Sequence, residues 1–166
     1  DLVSGRGYNY TEWHQLFTQR QLTVLSTLGN EITELQKEIE RDAINAGMHN
    51  DAKQLESGGN GALAYSQAVC VYLGLALSRL ADSANAHCRW AADKTQLKNL
   101  FSRQAIPMTW DFFEANPFAG AAGDFFVSTK TISKVLDRWA GISLAKIENC
   151  DAQTAKFPLE TVISTD

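Results

Sequence analysis

The residue types most able to shape a site are concentrated between Phe101 and Phe118, FSRQAIPMTWDFFEANPF. Four phenylalanines, one tryptophan and two prolines are threaded there with Arg103, Asp111 and Glu114. Aromatic side chains carry the largest burial area per residue, and each proline fixes φ and removes a backbone donor. A segment so apolar, yet charged and broken twice, reads as a shaped wall. The same pattern suits a helix-loop corner packed under the core, and spacing alone favours that plainer expectation.

Other chemistries are poorly supplied. His87-Cys88 is a nucleophile-and-base pair by type, but adjacent residues on a turn point apart and no third orienting group is evident. The three cysteines, Cys70, Cys88 and Cys150, form no Cys-x-x-Cys, and His14 and His49 have no ligand-spaced companions. Structural zinc and a disulfide framework are therefore not expected. Ser57-Gly58-Gly59-Asn60-Gly61 could cradle a phosphate only after a hydrophobic strand, and Asp51-Ala52-Lys53-Gln54-Leu55-Glu56 is not one.

A chain of 166 residues with formal charge −4 suits one domain with a real core, and it is no polycationic nucleic-acid binder. Any DNA contact must be local or shared with other parts of a larger protein. The apolar run Ala68–Leu77 is about half of the ~20 residues a bilayer span needs. No charged-then-apolar signal segment opens the chain, so a cytoplasmic location is the default expectation. Asp1 without a methionine and Asp166 directly after an apolar run suggest a piece of a longer polypeptide.

Mostly helical elements must position the wall. Thr18 is a plausible N-cap, and Leu22, Leu25, Leu28, Ile32, Leu35 and Ile39 recur at helical steps to about Ala46, with Gly47 as the stop. Residues 48–61 read as a flexible linker. Ala62 to about Asn85 is apolar on almost every side, which predicts burial all round, with Ala64, Ala68, Gly74 and Ala76 admitting close neighbours. His87–Asp93 should turn, anchored by Trp90. A short helix capped by Asp93 or Thr95 then holds Leu97, Leu100 and Phe101, and a second holds Trp110, Phe112 and Phe113 until Asn116-Pro117. After the small-residue loop Ala119–Asp124, Ser128 or Thr129 caps a last helix through Trp139, closed by Gly141. Leu144–Glu148 and Thr161–Ile163 pattern as two short strands, too few to stand as a sheet by themselves.

Several pieces, in collinear order, resemble one family. Trp13-x-x-Leu-Phe-Thr-x-Arg-Gln-Leu, Leu77-x-Arg-Leu-Ala-Asp, Cys88-Arg-Trp, Arg103-Gln-Ala-Ile-Pro-Met-x-Trp-Asp-Phe and Glu114-Ala-Asn-Pro-Phe look like the large DUF1156-type adenine-specific DNA methylases. The resemblance implies S-adenosylmethionine as cofactor, DNA as partner and a Rossmann-like sheet. The family places a glycine-rich cofactor loop upstream, and no counterpart stands in this sequence. Cys150-Asp151-Ala152 resembles the family's acidic turn, which implies that Asp151 lies near the cofactor's adenine or at the pocket rim. Thr161–Asp166 resembles the strand that leads into Asp-Pro-Pro-Tyr, so Asp166 would accept the adenine amino hydrogens and orient the nitrogen lone pair.

The expected fold class is thus mainly α. Residues 1–141 form a helical bundle-like insert, and residues 142–166 contribute two short C-terminal β-strands to a Rossmann-like α/β methyltransferase sheet. The expected function is a target-recognition or cleft-covering segment of an adenine methyltransferase, inactive alone. Arg89, Arg103 and Arg138 are candidates for phosphate or base contact, and Arg103, Trp110, Asp111 and Asn116 for facing cofactor or base. The alternative is a non-catalytic helical interaction module of a DNA-modification or defence complex.

Overall fold

Thr18 starts the first long helix. Its hydroxyl accepts from the Gln21 amide at 3.3 Å, while Gln21 Oε1 accepts from the Thr18 amide at 2.8 Å, a reciprocal capping box. From that cap α1 runs Gln19–Asn45 in the computed structural model, which describes residues 6–102, 105–121 and 123–139. The expected stop holds. Gly47 takes φ 93°, and the Gly47 and Met48 amides close onto the Ile44 and Ala43 carbonyls at 2.9 and 3.0 Å.

The linker expected over residues 48–61 is instead a hydrogen-bonded turn. The Ala62 amide donates to the His49 carbonyl at 3.0 Å, the Gly59 amide to that of Gln54 at 2.9 Å, and the Leu55 amide to Gln67 Oε1 at 2.7 Å. Composition suggested flexibility because it is polar and glycine-rich. The glycines are there for close approach, since a Cβ on Gly59 would collide with the Lys53 carbonyl.

Helix α2, Ala62–Ser83, pairs with α1 and forms the centre of the fold. Ala76, Leu80 and Ala84 are buried with Phe125, against Val24, Leu25, Leu28, Ile32 and Leu77. All-round burial is not observed. Val71 is 55% and Leu75 56% exposed, and nothing lies within 4 Å of where a Gly74 Cβ would stand. The buried residues Ala62, Ser66, Ala76 and Leu80 share one face, so that face carries most of the packing. By length and mean hydropathy (22 residues, 1.3) α2 could also cross a membrane.

Beyond α2 the chain leaves helical structure where a helix was expected. Arg89–Ala91 (β1) and Gln96–Lys98 (β2) form an antiparallel hairpin, with Thr95 at φ 50° in its turn. Leu100–Ser102 is a single 3₁₀ turn, and Trp110–Phe113 has no regular structure. Trp90 and Leu97 face each other across the hairpin, and this cross-strand pair takes Leu97 away from the helical spacing of Leu97, Leu100 and Phe101. The amides such a helix would use go elsewhere: Phe112 donates to Asp111 Oδ1 at 2.9 Å and Phe113 to the Cys88 carbonyl at 2.7 Å.

Helix α3, Phe125–Trp139, begins three residues before Ser128, and its cap is Asp124 rather than Ser128 or Thr129. Asp124 Oδ1 accepts from the Phe126 and Val127 amides at 2.6 and 3.1 Å, and Oδ2 from the Gly120 amide at 2.7 Å. Ser128 is buried inside the helix, its hydroxyl donating to the Asp124 carbonyl at 3.0 Å. The strands expected at residues 144–148 and 161–163, and the stop at Gly141, lie outside the described residues. The described part is mainly helical with one two-stranded sheet.

The amide bonds from Gly120, then Val127 and Phe126, hold the Asp124 carboxyl below its usual range against the opposing effect of burial. Its stabilising contribution is therefore complete above about pH 4 and fades as pH falls through the lowered folded value. Asp124→Ala should cost about 1 kcal/mol near neutrality. Urea unfolding at about pH 6 and about pH 3 should show the gap between variant and wild type narrowing in acid.

Candidate functional site

Arg89 and Lys98 are directly opposed across the hairpin, so their side chains leave one face together. Both line a cleft of about 360 Å³ whose polar wall also includes His87, Asn99, Ser102 and Thr109, with no aspartate or glutamate among the described residues that line it. Among the described residues neither cation has a carboxylate within salt-bridge distance. Like charges facing each other across strands repel. An anion between them would reverse that cost.

The far wall is fixed through polar contacts. Asp82, near the end of α2, accepts from the Phe101 amide at 2.7 Å and from the Asn99 side-chain amide. Asn85 is fully buried: its Nδ2 donates to the Ala81 and Asp82 carbonyls at 3.0 and 2.9 Å, and its Oδ1 accepts from the His87 amide at 2.9 Å. His87 lies 3.3 Å through Nδ1 from the Pro107 carbonyl and 3.0 Å through Nε2 from the Tyr10 hydroxyl. Because a carbonyl only accepts, Nδ1 is the donor to Pro107, and Nε2 pairs with the Tyr10 hydroxyl. Nδ1 thus ties the aromatic stretch to the hairpin base, and Nε2 ties the N-terminal segment to the same point.

Cys88 does not join His87 in a nucleophilic pair. Its thiol is buried and donates to the Asp82 carbonyl at 3.5 Å, and burial pushes its pKa up. On the opposite hairpin face Trp90 packs against Phe113 with ring centroids 4.9 Å apart, and the Phe113 amide donates to the Cys88 carbonyl at 2.7 Å. Trp90 thus anchors the stretch as much as the turn.

The sequence-predicted residues are scattered about this cleft. Arg89 lines it. Trp110 follows Thr109 and is 92% exposed, presenting its ring to solvent. Asp111 accepts from the next amide, Phe112, at 2.9 Å, and Asn116 from the Phe118 amide at 3.0 Å, so both shape the local backbone. Asn116 lines a separate depression beside Glu114, which pairs with Arg20 of α1. Arg138 is exposed in the last turn of α3. Arg103, Asp151 and Asp166 lie outside the described residues.

Lys98, Asn99, Ser102 and Thr109 had no signal as single residues. The available one was the alternation about Ala92-Asp93-Lys94-Thr95, a four-residue turn without glycine and therefore weak. Gly58, Gly59 and Gly61 do not fit S-adenosylmethionine. Cβ atoms at Gly59 and Gly61 would strike the Lys53 and His49 carbonyls, so that face is filled by the protein's own backbone. Among the described residues no cluster of three or more His, Cys, Asp or Glu is placed to hold a metal ion. No family model, curated protein or solved structure matches the chain.

The buried thiol gives a direct check. Alkylation of Cys88 by iodoacetamide at about pH 8, followed by peptide mass mapping, should be at least about tenfold slower than for a free peptide thiol. Urea should abolish that protection.

Proposed function

We propose that this chain is a DNA-facing helical segment of an S-adenosylmethionine-dependent adenine methyltransferase, and that its hairpin cleft grips a backbone phosphate. The observation that carries the phosphate contact is the opposed Arg89 and Lys98 in a cleft with no carboxylate among its described lining residues, in a protein of formal charge −4. Asn99, Ser102 and Thr109 add neutral donors of the kind that fix a phosphate's orientation. Trp110 supplies an exposed ring on which an unstacked base can lie, a sequence-tolerant contact. The methyltransferase assignment rests on the sequence resemblance. Within it, Asp166 is the amino-hydrogen acceptor, Asp151 borders the cofactor's adenine, and the cofactor itself is held by other parts of a cytoplasmic parent protein. Arg103 and Arg138 belong to the same proposed DNA-facing set, with Arg138 the more peripheral.

Two measurements separate the halves of this reading. Fluorescence anisotropy with a labelled single-stranded oligonucleotide should give saturable binding at low salt. Arg89→Ala and Lys98→Ala should each weaken it several-fold and lower the salt slope by about one, and Trp110→Ala should weaken it without changing that slope. Salt-insensitive binding, or none, would remove the phosphate site. In the parent protein, Asp166→Ala should lower methyl transfer by at least about 100-fold while DNA affinity stays within a few-fold.

A further inference from the structure

The hairpin cleft has two unlike halves. Among the described residues Arg89, Lys98, Asn99 and Thr109 belong to its polar half, and Leu100, Ala105, Pro107 and Met108 to an apolar one. Leu100 is buried and Met108 is 60% exposed, so the apolar half runs from the interior out to solvent. The volume of about 360 Å³ falls within the range of about 300–1,000 Å³ usual for small-molecule sites. A phosphate group alone would leave most of that space, and all of the apolar half, unused.

The charge of the polar half selects among phosphates. Arg89 and Lys98 are direct partners across β1 and β2, and opposed side chains start from Cβ atoms about 5 Å apart, so one tetrahedral anion can touch both. Holding two cations together is unfavourable until both charges are balanced. A phosphodiester brings one negative charge and leaves one cation unbalanced. A phosphate monoester carries about −1.5 to −2 near pH 7 and balances both. It also offers three unshared oxygens instead of two to the guanidinium fork, the ammonium and the neutral donors. Asn99 gives one amide hydrogen to Asp82 and keeps its second for this purpose.

We propose that the cleft also takes a free nucleoside monophosphate, and takes it more tightly than an internal phosphate of a strand. This rests on the cleft being a phosphate site, as proposed above, and adds a second class of ligand to it. The monoester sits between Arg89 and Lys98, while the sugar and base lie along Leu100, Pro107 and Met108. His87, whose two ring nitrogens are engaged by Pro107 and Tyr10, contributes ring surface and no further donor. Both ligands need the same two cations, so a bound mononucleotide excludes the strand. The level of free nucleotide then sets how much of the cleft is open to DNA.

Isothermal titration calorimetry at low salt tests this with thymidine 5′-monophosphate, its phosphate methyl ester, thymidine and inorganic phosphate. The monophosphate should bind at one site with a dissociation constant of about 1 mM or tighter. The methyl ester keeps the shape but loses one charge, and should bind at least about tenfold more weakly; thymidine should not bind. Arg89→Ala and Lys98→Ala should each weaken the monophosphate at least about tenfold while circular dichroism stays unchanged. Met108→Ala should weaken the monophosphate about threefold and leave inorganic phosphate, which touches only the polar half, unaffected. In the anisotropy assay the monophosphate should displace the labelled oligonucleotide competitively. Equal affinity for the monophosphate and its methyl ester overturns the proposal, as does monophosphate binding that survives both cation substitutions. A protein that binds the strand through Arg89 and Lys98 but not the monophosphate overturns it too, and leaves the strand contact standing. Monophosphate binding without strand binding has the opposite result: the proposal holds and the strand contact falls.

Discussion

The structure beyond the two long helices depends on how α2 ends. A helix terminus leaves carbonyls without partners, and burying them unsatisfied would cost about 1–3 kcal/mol each. Asn85 resolves this from a fully buried position, donating to two of those carbonyls and accepting from His87. Asp82, one turn earlier, spends both carboxylate oxygens on the segment after the hairpin. A carboxylate near a helix C-terminus is unfavourable by the helix dipole. Its presence there is explained by the tie it makes: the hairpin, the Leu100 turn and the cleft between them are fastened to α2 through it.

That tie also determines the electrostatics. With Asp82 committed to amides, the neighbouring cleft is left with Arg89 and Lys98 as its charges. The acidic residues gather elsewhere, most visibly along α1 at Glu31, Glu34 and Glu38. A formal charge of −4 therefore conceals two separated surfaces of opposite sign. Field at a contact is set by the local arrangement and by screening over about 10 Å, not by the net count. An acidic protein can for this reason carry a cationic cleft.

How much of this was legible in the sequence depended on whether the signal was local. The cap at Thr18, the stripe from Leu22 to Ile39 and the stop at Gly47 are short-range chemistry, and the structure follows them. The hairpin was not legible, since two three-residue strands around a turn without glycine carry almost no periodicity. Asp124 was passed over as a cap because the small-residue loop before it hid the helix start, while Ser128 and Thr129 offered the same chemistry four and five residues later. The cleft was legible only at Arg89. Its other members are brought together by Asp82 and His87, contacts across 17 to 20 residues that no spacing rule encodes.

The largest misreading concerned burial, and its cause is physical. Apolar composition suggested that α2 would be enclosed and that the aromatic stretch would pack beneath the core. Among the described residues the buried apolar set is instead Leu16, Ala43, Ala62, Ala64, Ala76, Leu80, Ala84, Cys88, Leu100 and Phe125, half of it alanine. Close helix approach through small residues leaves little interior volume, so large side chains such as Trp110, Phe126 and Trp139 have nowhere inside to go. A small, tightly spaced core joined by polar ties keeps α1 and α2 in place while leaving their aromatic neighbours uncovered. Exposed apolar area of this kind is costly in water unless something covers it. The same economy of packing that fixes the fold therefore creates the surfaces through which the chain can act.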